Sequence, residues 1–117
     1  MTNSDLIFMA EVKPKLSKDK TVEENFKIAF SEANGHWLIS QYNDEQKEFE
    51  AAVLTVSSFY GIGSPEFERI KQEMKYINAL FRTPGNVPID WNQLFGDDKN
   101  FKPLLLVKMW KEIRDGN

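Results

Sequence analysis

The stretch FYGIGSPEFERI, residues 59 to 70, places two glycines and a Ser-Pro before a helical pattern. A glycine-rich loop feeding a helix N-terminus can hold a phosphate, because backbone N–H groups and the positive end of the helix dipole converge on the anion. That chemistry needs a strand before the glycines and a full G-x-G-x-x-G or G-x-x-x-x-G-K-[ST] run, and neither is present. Glu66 and Glu68 also compete with an anion for that helix end. GIGS therefore predicts a helix-to-helix turn. Gly61 takes the left-handed position that closes one helix, Ser64 caps the next, Pro65 fits its first turn, and Glu66 and Glu68 complement its dipole.

The other chemistry-bearing residues lack the partners that a mechanism requires. His36 is the only histidine and no HExxH-type ligand spacing accompanies it, so it is expected just past a helix end, beside Trp37. Ser57 and Ser58 lie in an apolar helical pattern without the G-x-S-x-G context of an activated nucleophile, and suit close helix approach instead. Asp97 and Asp98, with Asp90 nearby, lack the alternation of an EF-hand and predict a solvated loop. Glu45 with Glu48, and Glu66 with Glu73, can meet on helix faces. Nothing in the sequence gives either pair the desolvated setting that acid–base chemistry needs, and acids on an outer helix face are the usual solubilising pattern. No catalytic residue, metal site or cofactor is predicted, and the chain is not expected to be an enzyme.

These residues need a scaffold, and the hydrophobic spacing predicts an all-α one: a single domain over 1–117, a compact bundle of five or six short helices. Hydrophobic residues at 41% and charged residues at 28% are ordinary for a globular domain. The absence of cysteine excludes a disulfide framework, thiolate zinc sites and a Cys nucleophile. Asn3 or Ser4 caps a first helix through about Val12, ended by Pro14. Thr21 and Glu24 form a capping box for a second, with Val22, Phe26, Ala29, Phe30 and Ala33 on one stripe and Asn34-Gly35 at its end. Residues 36–42 are the place for a non-helical element, since their alternation fits a short strand as well as a continued apolar helix. A third helix from Asn43 or Asp44 buries Phe49, Ala52, Val53, Val56 and Tyr60. A fourth runs from Ser64 to about Arg82 with Phe67, Ile70, Met74, Ile77 and Phe81 as its stripe. A loop over 83–100 precedes a last helix whose wide apolar face includes Val107 and Trp110.

The net charge of −3 is unevenly spread. Residues 21–60 carry seven acids against Lys27 and Lys47, whereas Lys13, Lys15, Lys18 and Lys20 cluster just before them. An acidic centre draws a basic partner and repels nucleic acid. The expected function is non-catalytic binding of a basic protein, such as a toxin or nuclease, by an immunity- or antitoxin-like inhibitor; this is an analogy of class. Glu23, Asp44, Glu45 and Glu48 are the expected contact acids, exposed on the second and third helices, and Trp91 is the candidate aromatic anchor in the 83–100 loop. The alternative is a small regulatory or accessory protein, of phage or mobile-element type, touching nucleic acid through its lysines. The apolar run Leu6 to Ala10, interrupted by Glu11, is too short for a secretory or spanning segment and predicts a cytoplasmic protein. For the GIGS turn, Ser64→Ala is expected to cost about 1 kcal/mol in denaturant unfolding, and Gly61→Ala as much or more. Neither substitution, nor one at Gly63, should change affinity for any nucleotide in a titration.

Overall fold

A computed structural model describes residues 3–39, 45–82, 88, 90 and 105–115. The described elements are α1 (Asn3–Val12), a 3₁₀ turn at Lys13–Lys15, α2 (Val22–Ala33), α3 (Glu45–Tyr60), α4 (Pro65–Phe81) and α5 (Leu105–Asp115). The fold class is all-α, a small helical bundle with no strand among the described residues. None of the described helices is long and apolar enough to cross a membrane.

Local chemistry sets the helix boundaries. The Glu24 N–H donates to Thr21 Oγ1 at 3.1 Å and the Thr21 N–H donates to Glu24 Oε1 at 3.1 Å, the reciprocal capping box that starts α2. The Thr21 amide also holds the Glu24 carboxyl below its ordinary value. After α2, Gly35 is left-handed with φ +80°. Residues 36–39 then form a turn in which the Ile39 N–H donates to His36 O at 3.1 Å; there is no strand over these residues, and 40–42 lie outside the described ones. Between α3 and α4 the GIGS turn is formed as its residue types predict. The Gly61 N–H donates to Ser57 O, Gly61 and Gly63 both take φ +89°, and Ser64 Oγ accepts from the Phe67 N–H at 3.1 Å while donating to Gly61 O at 2.8 Å.

Cα proximity divides the chain into two compact units, Met1–Glu68 and Arg69–Asn117. In the first, α2 and α3 run antiparallel: Phe49, early in α3, packs edge-on against Phe26 at 4.9 Å and Phe30 at 5.8 Å, while Asn25, early in α2, reaches Tyr60 at the end of α3. Contacts of Glu11 with His36, Lys15 with Glu32 and Ser17 with Asn25 run α1 and its connector back along α2. Because α3 meets both α1 and α2, it buries two stripes. Phe49, Val53 and Val56 form one, as the spacing predicts, although Tyr60, expected on the same face, is only half-buried. Glu48, Ala52 and Thr55 form the other, in which the Thr55 hydroxyl is satisfied by Ala51 O of its own helix at 2.8 Å.

Asn25 ties this unit together. It is fully buried (0% exposed), donates from Nδ2 to Ser17 O and to the Tyr60 hydroxyl, both at 2.8 Å, and accepts from the Ser17 N–H at 3.1 Å. One amide thus fixes the connector to α2 and α2 to α3. Lys18 secures the same corner, its ammonium lying 4.7 Å and 4.8 Å from the ring centroids of Phe59 and Tyr60 and donating to Phe59 O.

In the second unit, α4 buries Ile70, Glu73, Tyr76, Ile77 and Leu80. This stripe is rotated from the expected one, since Phe67, Met74 and Phe81 are only half-buried. In α5, Val107 and Trp110 are buried as expected, and Trp110 meets Phe81 edge-on at 4.7 Å. Asn25→Ala is expected to destabilise by about 3 kcal/mol, because it leaves buried backbone and hydroxyl groups without their partner. Thr21→Ala, at an exposed cap, should cost about 1 kcal/mol. Urea unfolding followed by circular dichroism compares the two.

Candidate functional site

The acids expected to form one contact surface have different fates. Glu23 is exposed and pairs with Lys27, one turn on, at 3.2 Å. Glu45 is exposed at the first turn of α3. The antiparallel pairing of α2 and α3 puts these two at opposite ends of the helix pair. Glu48, expected beside Glu45 on the outside, is buried at 5% exposure. The physical reason is the second buried stripe of α3: a helix that packs on two neighbours has a wider buried arc than one apolar stripe suggests, and Glu48 falls on it with Ala52 and Thr55. Asp44 and Trp91 lie outside the described residues, as does most of the 83–100 loop; Pro88 and Asp90 within it are exposed.

Among the described residues, Glu11 with His36 is the arrangement that resembles acid–base machinery. His36 Nε2 and Glu11 Oε2 are 2.8 Å apart, while Nδ1 accepts the Leu38 N–H at 3.1 Å. With Nδ1 accepting, Nε2 is the nitrogen that donates to Glu11. Both nitrogens are then occupied, and the imidazole ring also packs edge-on against Phe8 at 5.1 Å. His36 thereby latches α1 to the turn after α2. Among the described residues no group of three or more acids and His is placed to hold a metal ion.

The basic cluster is also partly consumed by structure. Lys15 pairs with Glu32 at 2.9 Å and Lys18 lies over the Phe59 and Tyr60 rings.

Two features escape reasoning from the sequence. The first is exposed apolar surface: Trp37 at 70%, Ile62 at 91%, with Leu6, Ile7 and Leu54 also exposed. The consecutive run Leu6 to Ala10 is the available signal, since five apolar residues in a row cover more of a helix than one packed stripe can bury. The second is Glu73, only 3% exposed, whose carboxylate accepts the Val107 N–H at 3.2 Å. Its spacing from Ile70 and Ile77 places it on the buried stripe of α4, and it acts there as a tertiary cap for the first turn of α5. Burial pushes its carboxyl up from 4.5 to about 7, against the opposing pull of the Val107 and Leu106 N–H groups and the Arg69 charge.

Comparison with protein-family models, curated proteins and solved structures finds no significant match for this chain.

The Glu73 environment predicts a pH dependence of stability. A carboxyl whose folded pKa is raised binds its proton more tightly in the folded state, so its contribution is fully present below about pH 4.5, falls as pH rises toward 7, and is flat above. The total change is at most about 3 kcal/mol. Glu73→Gln keeps an oxygen to accept the Val107 N–H and should remove most of this slope. Urea midpoints of both proteins at pH 5 and pH 8 provide the check; equal slopes would show that Glu73 does not titrate in this window.

Proposed function

We propose that the protein is a non-catalytic, cytoplasmic binding domain whose partner is a basic protein, in its most concrete form an immunity- or antitoxin-like inhibitor of a toxin or nuclease. The observation that carries this proposal is the charge on the outside of α2 and α3, where Glu23, Glu24 and Glu45 are exposed and Glu32 and Glu50 half-exposed against Lys27 and Lys47. The local pairs do not neutralise this field to an incoming cation. The exposed Glu23–Lys27 pair is worth about 0.3–0.5 kcal/mol and exchanges readily for a partner's Lys or Arg. The closed hydrogen bonding of His36 supports the non-catalytic part of the proposal.

Glu23 and Glu45 stand at the two ends of the α2–α3 pair, so a partner using both must span most of a 16-residue helix, roughly 24 Å. That length suits a standard interface of about 800 Å² per partner. The test is the association rate with the basic protein that co-purifies with the chain. The Glu23→Lys, Glu45→Lys double variant should fold, associate about tenfold or more slowly at low salt, and lose much of the salt dependence. Rates unchanged at two salt concentrations would remove charge-steered binding through these helices. Salt-dependent retention of nucleic acid alone would favour a regulatory protein acting through its lysines.

A further inference from the structure

We propose that Asn34 is a site of self-modification: the backbone nitrogen of Gly35 converts its side-chain amide, without an enzyme, to a mixture of aspartate and isoaspartate. The reaction is a property of the chain itself and needs no partner. It acts at the junction between α2 and the turn that carries His36.

The covalent steps use only the chain, hydroxide and water. Hydroxide takes the Gly35 N–H proton and the nitrogen attacks Asn34 Cγ. The N–Cγ bond forms, the Cγ–Nδ2 bond breaks, and Nδ2 leaves as ammonia after taking a proton from water, which restores the hydroxide. The product is a five-membered succinimide. Water then adds at one of its two carbonyl carbons and the ring C–N bond at that carbon breaks. Opening at Cγ gives aspartate, whereas opening at the backbone carbonyl gives isoaspartate, whose main chain runs through Cβ and Cγ.

The structure singles out Asn34 among the described asparagines. Asn25 is buried, with its amide spent on Ser17 and Tyr60. Asn78 is exposed but lies inside α4 and precedes Ala79, and Asn3 belongs to the first turn of α1 and precedes Ser4. Within a helix, the rotation about Cα–C that closes the ring breaks the ladder of backbone bonds. Asn34 stands just past that ladder: its N–H makes the last bond of α2, to Phe30 O at 3.1 Å, and its backbone is already extended. It is exposed, and the next residue is a glycine, which has no Cβ to hinder ring closure. A Cβ at Gly35 would meet no atom within 4 Å, so the succinimide and the incoming water have open space. In the folded chain a ψ of 117° turns the Asn34 Cβ away from the Gly35 nitrogen, so the ring closes during excursions about that bond. Helix ends are where such excursions cost least.

The products change the end of α2. Either one places a carboxylate at the negative end of the helix dipole, two residues before His36. Isoaspartate also lengthens the main chain between Ala33 and His36, which the His36 N–H bond to Ala33 O now spans at 3.1 Å. The contact of His36 with Glu11 depends on that placement, so conversion loosens the latch between α1 and the turn.

The experiment incubates the full chain at pH 8, digests it at intervals, and follows each asparagine by peptide mass. The Asn34 peptide should gain one dalton and separate into two products, while the Asn25 and Asn78 peptides stay unchanged. Methyl transfer by an isoaspartate-specific carboxyl methyltransferase should rise in step. Gly35→Ala should slow the conversion severalfold. Asn34→Gln, which keeps the glycine and its left-handed backbone, should abolish it. The aged wild type should unfold at lower urea than fresh protein, and aged Asn34→Gln should not. An Asn34 peptide that stays intact while a free peptide of residues 31–38 is half converted would overturn the proposal. So would conversion of Asn78 at the same rate, or a mass gain without isoaspartate, which marks direct hydrolysis. An unchanged urea midpoint in fully converted protein would overturn the effect on the latch.

Discussion

Phe49 is fully buried against Phe26 and Phe30, and this contact sets the antiparallel pairing of α2 and α3 around which the first unit is arranged. With α1 on its other side, α3 must bury two stripes from one sixteen-residue helix. Its polar residues then have to be satisfied locally or from neighbours. Thr55 uses the carbonyl of Ala51, and Tyr60 finds the amide of Asn25. Asn25 can add Tyr60 to its two bonds with Ser17 because the aromatic contact brings the end of α3 to the start of α2. Lys18 follows from the same geometry, closing the C-terminal end of α3 through Phe59 O and two ring faces.

Carboxylates show how strongly environment decides the role of one residue type. Glu24 is a cap, lowered by the Thr21 amide in full solvent. Glu23 is an exposed partner of Lys27. Glu73 is buried at the first turn of α5 and raised to about 7, because losing water outweighs two N–H donors and the charge of Arg69. Such a group near neutrality would ordinarily suggest catalysis. Here its oxygen is committed to Val107, and its burial serves a helix terminus whose N–H groups have no intrahelical acceptor.

The described surface is what the proposed binding role draws on. The sole histidine has both ring nitrogens engaged, half of the clustered lysines are held by an acid or by aromatic rings, and the large apolar side chains left outside among the described residues are Trp37, Leu6, Ile7, Leu54 and Ile62. Ile62 stands between two left-handed glycines in the turn that joins α3 to α4.

Local information was legible in the sequence. The Thr21–Glu24 box, the Asn34-Gly35 stop, the GIGS turn with its Ser64 cap, and the buried positions Phe26, Ala29, Phe49, Val53, Val56, Val107 and Trp110 all depend on residues within a turn or two of one another. Capping, left-handed glycine and helical periodicity are short-range effects, and they act whatever the rest of the chain does. What the tertiary structure alone decided is how many neighbours each helix has. Periodicity reveals an apolar stripe but not whether a second side is also covered, so Glu48 and Glu73 read as outer acids although both are buried. The converse holds for Leu6, Ile7 and Trp37, apolar by type and exposed by position. Burial is set by what packs against a residue across the fold, and that depends on chain-distant contacts such as Phe26 with Phe49 and Glu11 with His36, which no local spacing encodes.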